Sequence, residues 1–397
     1  MSFDVRPLVA EDAEAARRLG HEAFGVPTTP PTEPARTDQP GRVTLGAFRD
    51  GELVAKAVDR AFDSYFGGAL VPTSGIAGVT VAAEFRGQGA LTPLFDPLLR
   101  TARERGAVVS GLFPTAPRIY RRFGYEVVTD LETIEVPTSV LGQVARPTTV
   151  HTRRAVAADF DAVRAVYDTW AAGQNGPLSR RGVSFPATAE EFLESYTGVT
   201  VAQDEAGDIC GYVSWERGQD FGEQAVIAVS DLLATCADGY RALLSAIGSF
   251  SSVTARTTLR TSGPDPARLF LPTAHWRRTR TLPYMIKVLD VPAAFTLRQY
   301  PPGLTADLSF RLTGDFLPEN NAAYRLRLAD GRAECTIDDS ADPECSLTPQ
   351  GLALLYAGAQ SSANLRAAGH LSGGTVTKDR NLDAAFGGYQ VHIRDFY

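Results

Sequence analysis

Residues 75–128 read GIAGVTVAAEFRGQGALTPLFDPLLRTARERGAVVSGLFPTAPRIYRRFGYEVV, and this stretch decides the fold. Ile76, Val79 and Val81 form the short apolar run of a strand buried in a sheet. The turn Arg86-Gly87-Gln88-Gly89-Ala90 follows. After it the pattern predicts a helix carrying Leu98, Leu99 and Ala102, then a strand with Val108, Val109 and Leu112. The two glycines let the backbone bend tightly and approach a ligand with no Cβ in the way. N–H groups at the helix start face that ligand, with the positive end of the helix dipole behind them. Such a turn suits a pyrophosphate, and Arg86 adds a charged donor for it. By itself, an RGQG turn reads first as a tight strand-to-helix connection. No GKS or GKT and no GxGxxG accompanies it, which excludes a triphosphate P-loop and a dinucleotide fold.

The second half of the stretch adds Ile119-Tyr120-Arg121-Arg122-Phe123-Gly124-Tyr125. Strand, RGQG turn and IYRRFGY together resemble the acetyl-CoA site of GCN5-related N-acetyltransferases. The general pattern of that family falls here on Arg86, Gly89 and Leu91. Leu91 departs from it, and so does Pro97, which is expected to kink its helix. The departure at Leu91 resembles the branch typified by the enhanced intracellular survival (Eis) acetyltransferases. That resemblance covers the whole chain: its length, a three-part layout, IYxRFGY and an aromatic last residue.

At 397 residues the chain predicts two or three domains. Hydrophobic residues make up 44% and charged ones 21%, the balance of a soluble globular protein. A net charge of −7 argues against a nucleic-acid partner and favours cationic ones such as polyamines. Cys210, Cys236, Cys335 and Cys345 show no CxxC spacing, so free thiols are expected rather than disulfides. No histidine stands at metal-ligand spacing to another histidine or cysteine, and no metal is assigned. The opening MSFDVRPLVAEDAEAARRLG carries acidic residues where a signal peptide needs an apolar core. No apolar run reaches membrane-spanning length. The expectation is a cytoplasmic protein with no membrane partner.

The order of segments points to a mixed α/β (α+β) chain of three units: 1–145, 146–286 and 287–397. In the first, residues 3–6 read as an edge strand and 13–19 as an amphipathic helix with an acidic start. Pro27, Pro30, Pro31, Pro34 and Pro40 exclude regular structure from 25–41, leaving a solvated loop or a wall of the acceptor site. Residues 43–48 and 53–58 form a hairpin about Asp50-Gly51. The second unit repeats strand, acidic helix start and helix at 149–155 and 159–171. Residues 225–229 and 238–250 then resemble the central strand and its helix, but Ser230 to Cys236 between them contains no glycine. This unit looks like a degenerate copy of the first, binding no CoA. The third has alternating strands at 310–312 and 324–328 and a helix opened by Thr348-Pro349. Its order resembles a sterol-carrier-protein fold, which implies an apolar groove.

Acetyl transfer to an amine requires a held thioester, a polarised carbonyl, a neutral amine and a protonated leaving thiolate. Holding falls to the backbone of Val79, Thr80 and Val81 and to the turn Arg86, Gly87, Gln88, Gly89, Ala90, Leu91 and Thr92. By resemblance, Thr115 and Ala116 line the same channel. A backbone N–H of the strand polarises the carbonyl. By resemblance, Tyr120 is the general acid, while Tyr125 is read as a packing aromatic. Residues 78–82 carry no ionisable side chain and Glu84 lies beyond them, so the base comes from elsewhere. Resemblance assigns it to the Tyr397 α-carboxylate, whose reference pKa is ~3.5. Residues 390–397 alternate as a strand would and end in two aromatics. The resemblance also implies a homo-hexamer built of two trimers. Aminoglycosides, polyamines and lysine side chains are acceptors of the right chemistry, although Phe24-Gly25-Val26 lacks the acidic residue that the family carries for polycations. Two rival readings stay open: a lipid or small-molecule carrier acting through the third unit, and an acetyl-CoA sensor without turnover.

Overall fold

The computed structural model describes residues 3–26, 39–219, 222–338, 343 and 345–397. The wall expected at 25–41 falls mostly on 27–38, outside the described residues. Strands β1 (Asp4–Pro7), β2 (Arg42–Arg49), β3 (Glu52–Phe66), β4 (Ala69–Val81), β5 (Val109–Leu112) and β6 (Glu126–Pro137) come first. Next come β7 (Val150–Arg154), β8 (Gln174–Asn175), β9 (Gly198–Asp204), β10 (Ile209–Arg217), β11 (Gly222–Ala234), β12 (Thr254–Thr261) and β13 (Arg277–Val288). All but β8 join one twelve-stranded sheet, ordered β1-β2-β3-β4-β5-β13-β6-β12-β11-β10-β9-β7.

Its two ends mirror each other. β4 pairs parallel with β5 and β11 with β12, among antiparallel neighbours. The hairpin turn carries left-handed Asp50 and Gly51, at φ 51° and 81°, the signs that a type I′ turn requires. β3 runs on to Phe66, well past the expected residue 58. At the centre the halves exchange strands: β13 lies between β5 and β6, and β6 pairs on its other side with β12. Helix α1 (Ala13–Phe24) is longer than its sequence pattern indicated. Helix α2 (Leu91–Glu104) continues through Pro97, because Leu91, Leu94, Phe95, Leu98, Leu99 and Ala102 all bury one face against the sheet. A short α3 (Pro117–Arg121) carries Tyr120.

The C-terminal part is a five-stranded sheet, ordered Arg332–Ile337, Ala323–Ala329, Ala306–Leu312, Cys345–Leu347 and Leu371–Gly373. Thr348 Oγ1 caps the helix Pro349–Ala357, accepting from the Gly351 N–H at 3.1 Å. The space beneath this sheet is filled. Phe295, Phe310 and Tyr324 stack there, and buried Arg298 lies against Tyr300, Tyr356 and Phe386, donating to the Tyr356 carbonyl. A buried Lys287–Asp315 pair, 2.7 Å apart, ties this part to β13. The four cysteines are free. Among the described residues, no helix is long and apolar enough to cross a membrane.

The last residues correct one expectation. Only Gln390–Val391 forms a strand, parallel to β8, and residues 392–397 have no regular structure. One backbone bond and then side chains hold them. The His392 N–H donates to Asn175 O at 2.8 Å. Arg394 donates to Arg260 O at 2.7 Å and to Asp265 at 3.2 Å. Asp395 accepts from Arg180 at 3.0 Å, and Arg180 also grips buried Asp231. Beyond His392, ladder bonds are replaced by charged side chains with fixed partners.

His392 is buried edge-on to Trp170, and its Nδ1 has no partner. Burial, then the charge of Arg394, pushes its pKa well below the usual imidazole value. The unfolded chain takes up this proton below about pH 6.5 and the folded chain does not. Stability from this residue is therefore complete above that pH and falls below it, by up to about 1.4 kcal/mol per pH unit. Urea unfolding measured between about pH 7 and about pH 5 is expected to show the slope, and His392→Phe to flatten it. Equal slopes in the two proteins would contradict this placement.

Candidate active site

β4 and β5 pair only through residues 73–76 and 109–112. β4 then continues to Val81 with no strand on that side, so the sheet opens into a fork. A cleft of about 750 Å³ enters the fork. Val79, Thr80, Val81, Arg86, Gly87, Gly89, Ala90, Leu91, Thr115 and Tyr120 line it, together with Phe24, Arg118, Ile119 and Arg122. Gln88, Thr92 and Ala116 do not. The Gln88 amide bridges Glu84 O and Arg49 at 2.7 and 3.0 Å. The Thr92 N–H closes the turn onto Gly89 O at 3.2 Å. Ala116 is the extended residue ahead of α3.

Gly87 and Gly89 have φ of 78° and 85°, and a Cβ on either would meet open space. The left-handed backbone, not crowding, demands glycine here. α2 starts directly after them with no side-chain cap; the Thr92 N–H is taken by Gly89 O and Pro93 has none, so of the first three residues Leu91 alone has an N–H left to offer the cleft. Its counterpart after β11, the helix Ala237–Gly248, is closed by its own residues, with Cys236 Sγ accepting from the Gly239 N–H at 3.3 Å. The donors that this turn and the cleft wall offer to the acetyl-CoA phosphates the fold implies are the Leu91 N–H and the Arg86, Arg118 and Arg122 guanidinium groups.

Tyr120 is buried, its ring 6.0 Å from Phe95 and 6.4 Å from Tyr125. Burial pushes its phenol up to about 12, so it keeps its proton at neutral pH. Tyr125 is fully enclosed. Its hydroxyl meets Ser110 Oγ at 2.6 Å, and Ser74 on the neighbouring strand donates to buried Asp59 at 2.7 Å.

Tyr397 lies on the opposite face. Gly75 and Gly111 are directly paired across β4 and β5 at the foot of the fork. A Cβ on Gly75 would meet the rings of Phe62 and Tyr397, and one on Gly111 would meet the hydroxyls of Tyr284 and Tyr397. The two glycines form a window that the last ring fills. That ring stands 4.9 Å from Phe62 and 5.6 Å from Phe113, and its hydroxyl donates to Tyr284 Oη at 3.2 Å. The next residues along the same strands, Ile76 and Leu112, point the other way, into the cluster that holds Tyr120. Tyr120 and Tyr397 therefore flank the fork from its two faces.

Residues 4–128 and 176–288 each match the acetyltransferase (GNAT) domain, and 291–394 the sterol carrier protein domain. The N-acetyltransferase Eis of Mycobacterium tuberculosis is 28% identical over 344 residues, 81% of this chain and 79% of its own. The chain is an Eis-like N-acetyltransferase of the GCN5-related family. An uncharacterised N-acetyltransferase of Streptomyces avermitilis is 29% identical over 321 residues, 77% of this chain and 76% of its own. The crystal structure of a GCN5-related N-acetyltransferase from Kribbella flavida superposes with a TM-score of 0.83 at 28% identity, covering 100% of this chain and 99% of its own. Eis1 of Mycobacterium abscessus shares the fold, with a TM-score of 0.75 at 24% identity over 100% of both chains.

Reading the sequence missed the glycine window and the anchor at Arg180, Asp231 and Arg394. A signal for the window exists: a single glycine inside an apolar strand marks close approach by another group. The anchor joins residues far apart in the chain and leaves no local signal. Gly111→Val would set methyl groups where the Tyr284 and Tyr397 hydroxyls stand. The last ring is then expected to leave the window and carboxypeptidase to release Tyr397 faster than from the parent protein. Equal release rates would contradict the packing.

Proposed function

We propose that this acetyltransferase moves the acetyl group of acetyl-CoA directly to a primary amine, with Tyr120 as general acid and the Tyr397 α-carboxylate as general base. The observation that carries this reading is the fork flanked by Tyr120 on one face and Tyr397 on the other. Acetyl-CoA supplies the thioester. The free edge of β4 at residues 79–81 pairs with the amides of its pantetheine arm, and a β4 N–H polarises the carbonyl. Arg86, Arg118, Arg122 and the start of α2 hold the phosphates.

The Tyr397 carboxylate accepts the proton of the acceptor ammonium, leaving a neutral amine. The amine nitrogen attacks the carbonyl carbon, the C–N bond forms and the C–S bond breaks. Tyr120 gives its proton to the departing thiolate, and the proton that the nitrogen sheds on becoming an amide returns through solvent to the phenolate. Its raised pKa supports the role, because the phenol is fully protonated before the step. The filled interior of the C-terminal part supports delivery of Tyr397 rather than lipid carriage. The self-capped helix after β11 supports a single acetyl-CoA per chain.

Tyr120→Phe removes only a proton donor. It is expected to lower kcat by about 10²–10⁴-fold while acetyl-CoA still binds one per chain by calorimetry. Gly89→Glu sets a carboxylate against the phosphates and is expected to abolish that binding. Full turnover in Tyr120→Phe, or two binding sites per chain, would overturn the assignments.

A further inference from the structure

One transverse row crosses four strands of the sheet. Arg42 on β2 pairs with Arg60 on β3, Arg60 with Gly75 on β4, and Gly75 with Gly111 on β5. Directly paired residues share a face. Both arginines therefore lie on the Tyr397 side of the fork, where the acceptor enters under the mechanism above, and Arg60 interacts electrostatically with Tyr397. Lys56 stands further along β3, paired with Thr80 of the cleft wall, and Arg42 acts on its charge.

These three cations are half-buried, and among the described residues no carboxylate lies within ion-pair distance of any of them. Arg42 makes one side-chain hydrogen bond, to Gln39 at 3.2 Å. The Nε groups of Arg42 and Arg60 are buried without a partner. Burial, then like-charge repulsion, weakens the hold of Arg42 and Lys56 on their protons. Several other cations on or beside this sheet do have counter-charges: Arg6 of β1 pairs with Asp12, Arg153 of β7 with Asp159, Arg105 after α2 with Asp59 and Arg180 with Asp231. Asp59, the carboxylate nearest in sequence, is turned to the other face, onto Ser74 and Arg105. Among the described residues these three partly desolvated cations lack a counter-charge, an arrangement that a ligand supplying negative charge would relieve.

We propose that the acceptor amine also carries an anionic group, a carboxylate or a phosphate, bound by Arg60 with Arg42 and Lys56. The inference rests on the acetyl-transfer reading above and narrows its acceptor. It points to amino acids or amino-sugar phosphates and away from aminoglycosides and polyamines, whose positive charges the row repels.

Initial rates with acetyl-CoA and a free-thiol readout test it on a set of amines: amino acids, their C-terminal amides, an amino-sugar phosphate, its parent amino sugar, spermidine and an aminoglycoside. The anionic amine is expected to exceed its neutral twin in kcat/KM by about 10- to 100-fold, the span of a hydrogen bond to a charged group. Which twin pair separates most tells carboxylate from phosphate. Arg60→Gln is expected to raise KM for the anionic acceptor by a similar factor, leave KM for acetyl-CoA unchanged, and spare neutral amines; Arg60→Lys restores much of the loss. Turnover best with spermidine or the aminoglycoside overturns this inference and leaves the acetyl-transfer reading intact. An equal loss for all amines in Arg60→Gln also overturns it, assigning Arg60 to the Tyr397 carboxylate instead. No turnover with any amine overturns both.

Discussion

The placement of the last residues depends on a buried ion network. Arg180 binds Asp231 and Asp395, and Arg394 reaches Asp265 and lies 4.0 Å from Asp231. Burial opposes the ionisation of Asp231, yet the charge and hydrogen bonds of Arg180 outweigh it and hold the carboxyl at about 2. Charges this deep are tolerated only in satisfied sets, because removing one partner strands the other. The consequence is positional rather than a large gain in stability. With Arg394 and Asp395 fixed, the following residues have little freedom, and the last ring enters the window between Gly75 and Gly111. Asn175 extends the constraint, accepting from the Gly67 N–H at 2.8 Å and donating to Ala357 O at 2.9 Å, so that all three parts of the chain meet at one side chain.

The two acetyltransferase-type halves divide the labour. The first keeps left-handed glycines and a helix start without a side-chain cap. The second closes the same place with Cys236 and uses its sheet to hold the tail. Strand exchange at β6 and β13 makes them one continuous sheet, so tail and fork are referenced to the same rigid frame. That rigidity suits catalysis, in which a base misplaced by an ångström costs much of the rate.

The core of the first half was legible because its signals are local: alternating apolar residues, Asp50-Gly51, and glycines before a helix. The cleft lining also followed, except at Gln88, Thr92 and Ala116, whose groups serve the turn and the start of α3. The insertion of β13 beside β5 was not legible, since strand partners depend on long-range pairing that a single segment does not encode. Residues 392–397 alternate like a strand but are held by ion pairs. Net charge was the least informative signal about the acceptor. The chain is acidic overall, which favoured cationic partners, yet the fork is bordered by Arg42, Lys56 and Arg60. Whole-chain charge carries no information about the field inside one cleft.

The central claim is that the Tyr397 α-carboxylate itself acts at the fork. Adding one glycine after Tyr397 turns that carboxylate into a neutral amide while leaving every side chain in place. Steady-state kinetics on this variant, with acetyl-CoA affinity measured in parallel, test the claim most directly. The account predicts a kcat lowered by about 10²-fold or more, the usual weight of a general base, with acetyl-CoA affinity unchanged. An unchanged kcat would contradict it.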